Sequence, residues 1–135
     1  TDFEEVDFET LLAESDILSL HCPLTEQTRH MMNAQAFAKM KKTAIMLNLA
    51  RGPVVDEQAL YDALTAGQIA AAGLDVLDKE PIAADNPLGT IKDSTKLLIT
   101  PHMAWGSHEA RERCAREVYK NIESFLAGQE RNFVV

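Results

Sequence analysis

Four short apolar runs alternating with stretches of helical periodicity constrain this chain more than any other feature. The runs fall at residues 17–21, 44–48, 69–76 and 97–100, too far apart in the sequence to be joined as hairpins. Strands separated by connections long enough to hold a helix pair in parallel. The pattern therefore predicts an α/β fold built on a mainly parallel sheet, with helices covering both faces.

The intervening segments carry their own punctuation. Asp7 is placed to cap a short helix whose Phe8, Leu11 and Leu12 share a face, and Ser15 and Asp16 end it. Asn33 caps a second, in which Phe37 and Met40 repeat three apart and Lys39, Lys41 and Lys42 suit the C-terminal dipole. Asp56 caps a third carrying Leu60, Ala63 and Leu64, with Gly67 as its stop. Ser107 caps the longest, with an expected inward stripe of Ala110, Cys114, Val118, Ile122 and Phe125 or Leu126, ended by Gly128. Residues 77–94 read as a long polar loop, and the tail 131–135 ends on Phe133, Val134 and Val135, an apolar group expected to dock.

Composition bounds the function. With 135 residues, 46% of them hydrophobic, the chain suits one domain with a core. A formal net charge of -8 excludes the clustered cationic surface that nucleic acid requires. No apolar run reaches the ~20 residues of a membrane span. Two cysteines, Cys22 and Cys114, do not make a disulfide framework and fit a reducing cytoplasm. The chain opens on Thr1, so the start of a longer gene product is expected upstream.

In an open parallel sheet, ligands bind beyond the carboxyl ends of the strands. The residues that the four runs deliver there are Cys22 and Pro23, Arg51, Asp75 and His102, with Glu80 on the loop after the third run. Arg51 offers a planar fork of donors matched to a carboxylate; equally, beside Gly52, it could satisfy loop carbonyls. His102 follows Pro101 at the end of the fourth run and is suited to proton transfer near neutral pH, where a structural histidine is the plainer alternative. Glu80 is either a solvated loop acid or the carboxylate that orients a histidine ring. Asp75 lies within an apolar run and needs a partner, a cofactor amide or a backbone N–H. Trp105 is a core aromatic or a pocket wall; His21 bonds nearby backbone, and His30 and His108 belong to the surface. No spacing suits a metal. A cationic clamp and a His–Glu pair on such a sheet suit hydride exchange between a nicotinamide and a 2-hydroxy or 2-oxo acid.

Four stretches carry a more specific signal. SDILSLHCPLT (15–25), MLNLARGPVVD (46–56), AAGLDVLDKEP (71–81) and LITPHMAW (98–105) resemble, in order, the D-isomer-specific 2-hydroxyacid dehydrogenases, and most closely their glycerate dehydrogenase (hydroxypyruvate reductase) branch. The resemblance implies a partial Rossmann-type doubly wound sheet plus a long C-terminal helix, in an NAD-dependent oxidoreductase that is a homodimer as a whole. It implies that Arg51 binds the substrate carboxylate, that His102 donates and accepts the proton, and that Glu80 is its partner. It further implies that Cys22, Pro23, Thr28, Leu49, Ala50 and Asp75 line the NAD site, and that Trp105 and Gly106 lie where the chain passes nicotinamide and substrate.

One departure matters. No G-x-G-x-x-G occurs, nor the acidic residue that would read the ribose hydroxyls. Residues 1–135 are therefore expected to be the C-terminal portion of an NAD-binding domain, with the glycine-rich half and the substrate domain lying elsewhere in a longer chain. By itself such a portion is expected to be inactive, to bind NADH weakly or not at all, and to self-associate through an open strand edge at residues 17–21. A non-catalytic module that senses NAD(H), of the corepressor type found in this fold, is the alternative; the joint presence of Arg51, Glu80 and His102 favours the enzyme.

Overall fold

The computed structural model describes residues 3–133. The chain divides into two compact units, Thr1–Pro101 and His102–Val135.

The first unit holds a four-stranded sheet in the order β1-β2-β3-β4, all parallel. The strands are β1 (Ile17–Leu20), β2 (Ile45–Asn48), β3 (Ala71–Leu74) and β4 (Leu97–Ile99). Each lies inside its apolar run and is shorter than it, because pairing ends where the chain must leave the sheet. The helices α1 (Phe8–Glu14), α2 (Ala34–Lys39) and α3 (Glu57–Thr65) begin at the expected caps. Asp7 accepts from Thr10 N at 2.8 Å, Asn33 from Gln35 N and Ala36 N at 3.0 and 3.1 Å, and Asp56 from Ala59 N at 3.0 Å. Gly67, at φ +67°, follows the end of α3 in the left-handed conformation that glycine adopts without a steric penalty. Lys41 and Lys42 fall past the end of α2, and Met40 is its C-cap.

Strand order and handedness together decide where the core sits. The sheet grows in one direction, and right-handed crossovers made in one direction all fall on the same face. Leu12, Phe37, Leu60 and Leu64 from the three helices accordingly pack with Leu18, Leu20, Met46, Ala72, Leu74 and Leu97 from one face of the sheet. The register aligns Leu18, Met46, Ala72 and Leu97 in a single buried row. The opposite face does not match the two-sided cover expected from the sequence. Ile17 is 64% exposed and Leu98 59%, because no crossover in this unit returns to that side.

Residues 77–94 are less open than the sequence suggests. They contain a 3-10 helix, Pro87–Thr90, capped by Asn86, and its Leu88 is buried. Glu57, the first residue of α3, anchors this segment twice, accepting from Asp78 N at 2.8 Å and from the Asn86 amide at 2.5 Å.

The second unit contains the 19-residue α4 (His108–Leu126). Ser107 caps it by accepting from Ala110 N at 3.1 Å, and Gly128 at φ +67° follows its end. Its expected inward stripe is not buried: Val118, Ile122, Phe125 and Leu126 are all more than half exposed. Phe133 in the tail is exposed as well, and Val134 and Val135 lie outside the described residues. Charged pairs line the helix instead. A hydrogen bond from the Arg131 guanidinium, helped by Lys120, holds the Glu117 carboxyl below its usual value. Among the described residues, no helix is long and apolar enough to cross a membrane.

Candidate functional site

Parallel strands in register end together, and the residues that follow them share one edge. Leu20, Asn48 and Leu74 stand side by side, so the chain exits at Cys22-Pro23, at Leu49-Ala50-Arg51 and at Asp75 on the same side of the sheet. Three of the sequence motifs thus end on one edge of the sheet within the first unit.

The exit from β2 is the most ordered of these. Asn48, wholly buried, accepts from Ala50 N at 3.1 Å through its side-chain oxygen and donates its amide to the Arg51 carbonyl at 3.1 Å. Leu49 N reaches back to the Leu20 carbonyl at 3.3 Å, and Asp75 N donates to the Asn48 carbonyl at 3.0 Å. Arg51 itself is extended (φ -144°, ψ 142°) and exposed, and its Nη1 donates to the Ala50 carbonyl at 2.7 Å. One of five guanidinium N–H groups thus serves the loop, as the structural alternative required, and the fork still faces solvent.

Gly52 explains how close two exits can come. A Cβ there would stand 1.9 Å from the Leu77 carbonyl oxygen and 2.4 Å from Asp78 N. Only a residue without a side chain lets the Arg51 loop lie against the backbone that leads to Glu80. Glu80 is exposed and accepts from Leu77 N at 3.0 Å, closing a tight turn with its own side chain.

Asp75 is 4% exposed, and Thr100, just past β4, donates its hydroxyl to it at 2.5 Å. Thr28 works locally: its hydroxyl donates to the Pro23 carbonyl at 2.7 Å and accepts from Thr25 N at 2.8 Å, fixing the turn that follows Cys22. Cys22 is half-buried, its sulfur 3.9 Å from that of Met31, a packing contact. His21 bonds the Ser19 hydroxyl at 2.8 Å, a side-chain partner instead of the backbone expected, and His30 and His108 are exposed.

His102, Trp105 and Gly106 open the second unit. His102 has φ +53°, a left-handed conformation uncommon for a residue with a Cβ. Its carbonyl accepts from the Trp105 indole at 2.9 Å, and Gly106 N donates to the Met103 carbonyl at 2.8 Å, so 102–106 is a compact turn. Trp105 is 65% exposed and walls a shallow apolar groove with Ala110, Arg111, Cys114 and Ala115, which settles against a core role. No group of three or more potential ligands for a metal occurs among the described residues.

Asn48, Glu57 and Thr100 were not singled out by the sequence. The signal for Asn48 was present, an amide ending an apolar run that must find partners once buried. For Glu57 and Thr100 the partners are distant in the sequence, and no local pattern marks them.

A parallel sheet with its polar exits gathered on one edge defines part of a nucleotide-binding α/β domain. The chain belongs to the family described as D-isomer specific 2-hydroxyacid dehydrogenase, NAD binding domain, whose profile matches residues 1–104. Among its relatives, the glyoxylate reductase of Korarchaeum cryptofilum is 48% identical over 126 residues, 93% of this chain and 37% of that one. The hydroxypyruvate reductase of Blautia hydrogenotrophica is 46% identical over 129 residues, 96% of this chain and 39% of that one. The fold is similar to that of a D-lactate dehydrogenase from Lactobacillus jensenii solved with NAD+, with a TM-score of 0.84 and 36% identity, covering 96% of this chain and 42% of that one. The chain thus spans about two fifths of the length of the proteins it matches.

Proposed function

We propose that residues 1–135 are the C-terminal portion of the NAD-binding domain of a dehydrogenase that reduces a small 2-oxo acid such as hydroxypyruvate or glyoxylate. The observation that carries this is the convergence, on one sheet edge, of an exposed arginine fork and a buried carboxylate within a chain of this family.

Arg51 takes the substrate carboxylate through its outward fork, held on a loop that Gly52 lets approach the Glu80 turn. Asp75, a buried carboxylate that accepts from the Thr100 hydroxyl, is assigned to the amide of a nicotinamide, whose N–H is a donor of the kind a carboxylate accepts. Roles at the cofactor are assigned to Cys22, Pro23, Thr28, Leu49 and Ala50 in the first unit and, in the second, to Trp105 and Gly106. When bound, the nicotinamide supplies the hydride. His102 gives its proton to the carbonyl oxygen that becomes the hydroxyl, and Glu80 favours the imidazolium that does so. The free thiols Cys22 and Cys114 suit a reducing, cytoplasmic setting.

The test is NADH consumption by the full-length protein carrying this sequence, with hydroxypyruvate and glyoxylate, beside a His102→Gln variant. Turnover by the parent and a loss of about 10²–10⁴-fold in the variant are expected. Binding of NADH without reduction of any 2-oxo acid would overturn the enzyme reading and support a sensing module.

A further inference from the structure

We infer that Asn48 is a positioning residue for the carboxylate clamp, acting through the backbone of Arg51; this rests on the role proposed for Arg51. Asn48 ends β2, and its side chain turns forward under the loop that follows instead of joining the apolar core. There it satisfies the N–H of Ala50 and the carbonyl of Arg51 at once, both at 3.1 Å, so one amide closes the loop from below. The Arg51 carbonyl also accepts from Val54 N at 3.1 Å. The side chain of Arg51 leaves this anchored, extended backbone into solvent.

Two properties make Asn48 suited to this task. It is 0% exposed, so no water can take over its bonds, and its short side chain gives the loop one geometry. At the next residue, Gly52, a Cβ would stand 1.9 Å from the Leu77 carbonyl oxygen, so the backbone there packs directly against Leu77 and Asp78. The backbone around Arg51 is thereby held by Asn48 and flanked by a close backbone contact. A flexible arginine departing from a fixed Cα loses less freedom when it engages a carboxylate than one departing from a mobile loop. The backbone carbonyl of Asn48 meanwhile accepts from Asp75 N, an ordinary ladder bond that keeps the two neighbouring strand exits in step.

The experiment is a double-mutant cycle in the full-length protein, reading KM for the 2-oxo acid, kcat and the NADH dissociation constant. Arg51→Lys, which keeps charge and loses the fork, is expected to raise KM by about 10–100-fold. Asn48→Ala is expected to raise KM roughly 10-fold with NADH affinity changed less than about twofold, and to add little on top of Arg51→Lys. Asn48→Asp keeps the volume and the acceptor toward Ala50 but loses the donor toward Arg51. It is expected to raise KM similarly, and it carries the test where Asn48→Ala is too unstable to assay. If Arg51→Lys leaves KM unchanged, the clamp itself is wrong and the inference falls with it. If Arg51→Lys raises KM but the Asn48 variants do not, or their effects simply add, Asn48 does not position Arg51. Equal losses of NADH and substrate affinity would likewise overturn the inference, marking Asn48 as a general support of the fold.

Discussion

Helices α3 and α4 carry the same kind of sequence signal and meet opposite fates. Both begin at a side-chain cap, both end before a left-handed glycine, and both show an apolar stripe. In α3, nine residues long, Ala59, Leu60, Ala63 and Leu64 are buried; in α4, more than twice that length, no residue is. Caps and periodicity thus set where a helix runs and which face is apolar. What covers that face is decided elsewhere, for α3 by a crossover that returns it to the sheet. A stripe is a request for a partner, and its strength says nothing about which segment answers.

The contrast can be broken or sharpened by mutation. Phe37, fully buried between the helices and the sheet, is the severe case. Phe37→Ala is expected to cost about 3–5 kcal/mol, read as a fall in the denaturant midpoint with the m-value unchanged. Gly52→Ala comes next, at about 1–3 kcal/mol of overpacking, because the new methyl meets backbone that no side-chain rotation can clear. That variant should also raise KM for the 2-oxo acid, since the Arg51 loop and the Glu80 turn must separate. At the other extreme, Ile122→Ser on α4 is expected to change stability by less than about 0.5 kcal/mol in this chain. A cost near that of Phe37→Ala would mean the stripe of α4 is covered in solution, and the comparison would collapse.

How much of this could be seen in the sequence follows from the range of each interaction. The caps Asp7, Asn33, Asp56 and Ser107 were legible because a cap and its N–H partners lie within three residues. Strand positions were legible from apolar runs, their ends less so, since Ile69, Ala70 and Val76 are as apolar as the residues that pair. The one-sided core was not legible, because it follows from strand order, which no local pattern encodes. At the site, Arg51 and Asp75 could be placed by counting from strand ends. The bond from Arg51 onto the Ala50 carbonyl is the structural one of the two alternatives the sequence left open, and only the geometry reveals it. Glu57 lies beyond such reasoning: its partners Asp78 and Asn86 are 21 and 29 residues away.

Strand β1 ends the sheet, paired only with β2 among the described residues. Ile45 N bonds the Asp16 carbonyl and Leu49 N the Leu20 carbonyl, which turns the amides of Leu18 and Leu20 toward β2 and those of Ile17 and Ser19 away from it. Deuterium should therefore enter this strand unevenly, quickly at Ile17 and Ser19 and slowly at Leu18 and Leu20, though all four belong to one element. Any extended segment that came to lie along this edge would slow the fast pair and leave the slow pair as it was. Four amides in one strand thus record whether the sheet stops here or continues into another strand.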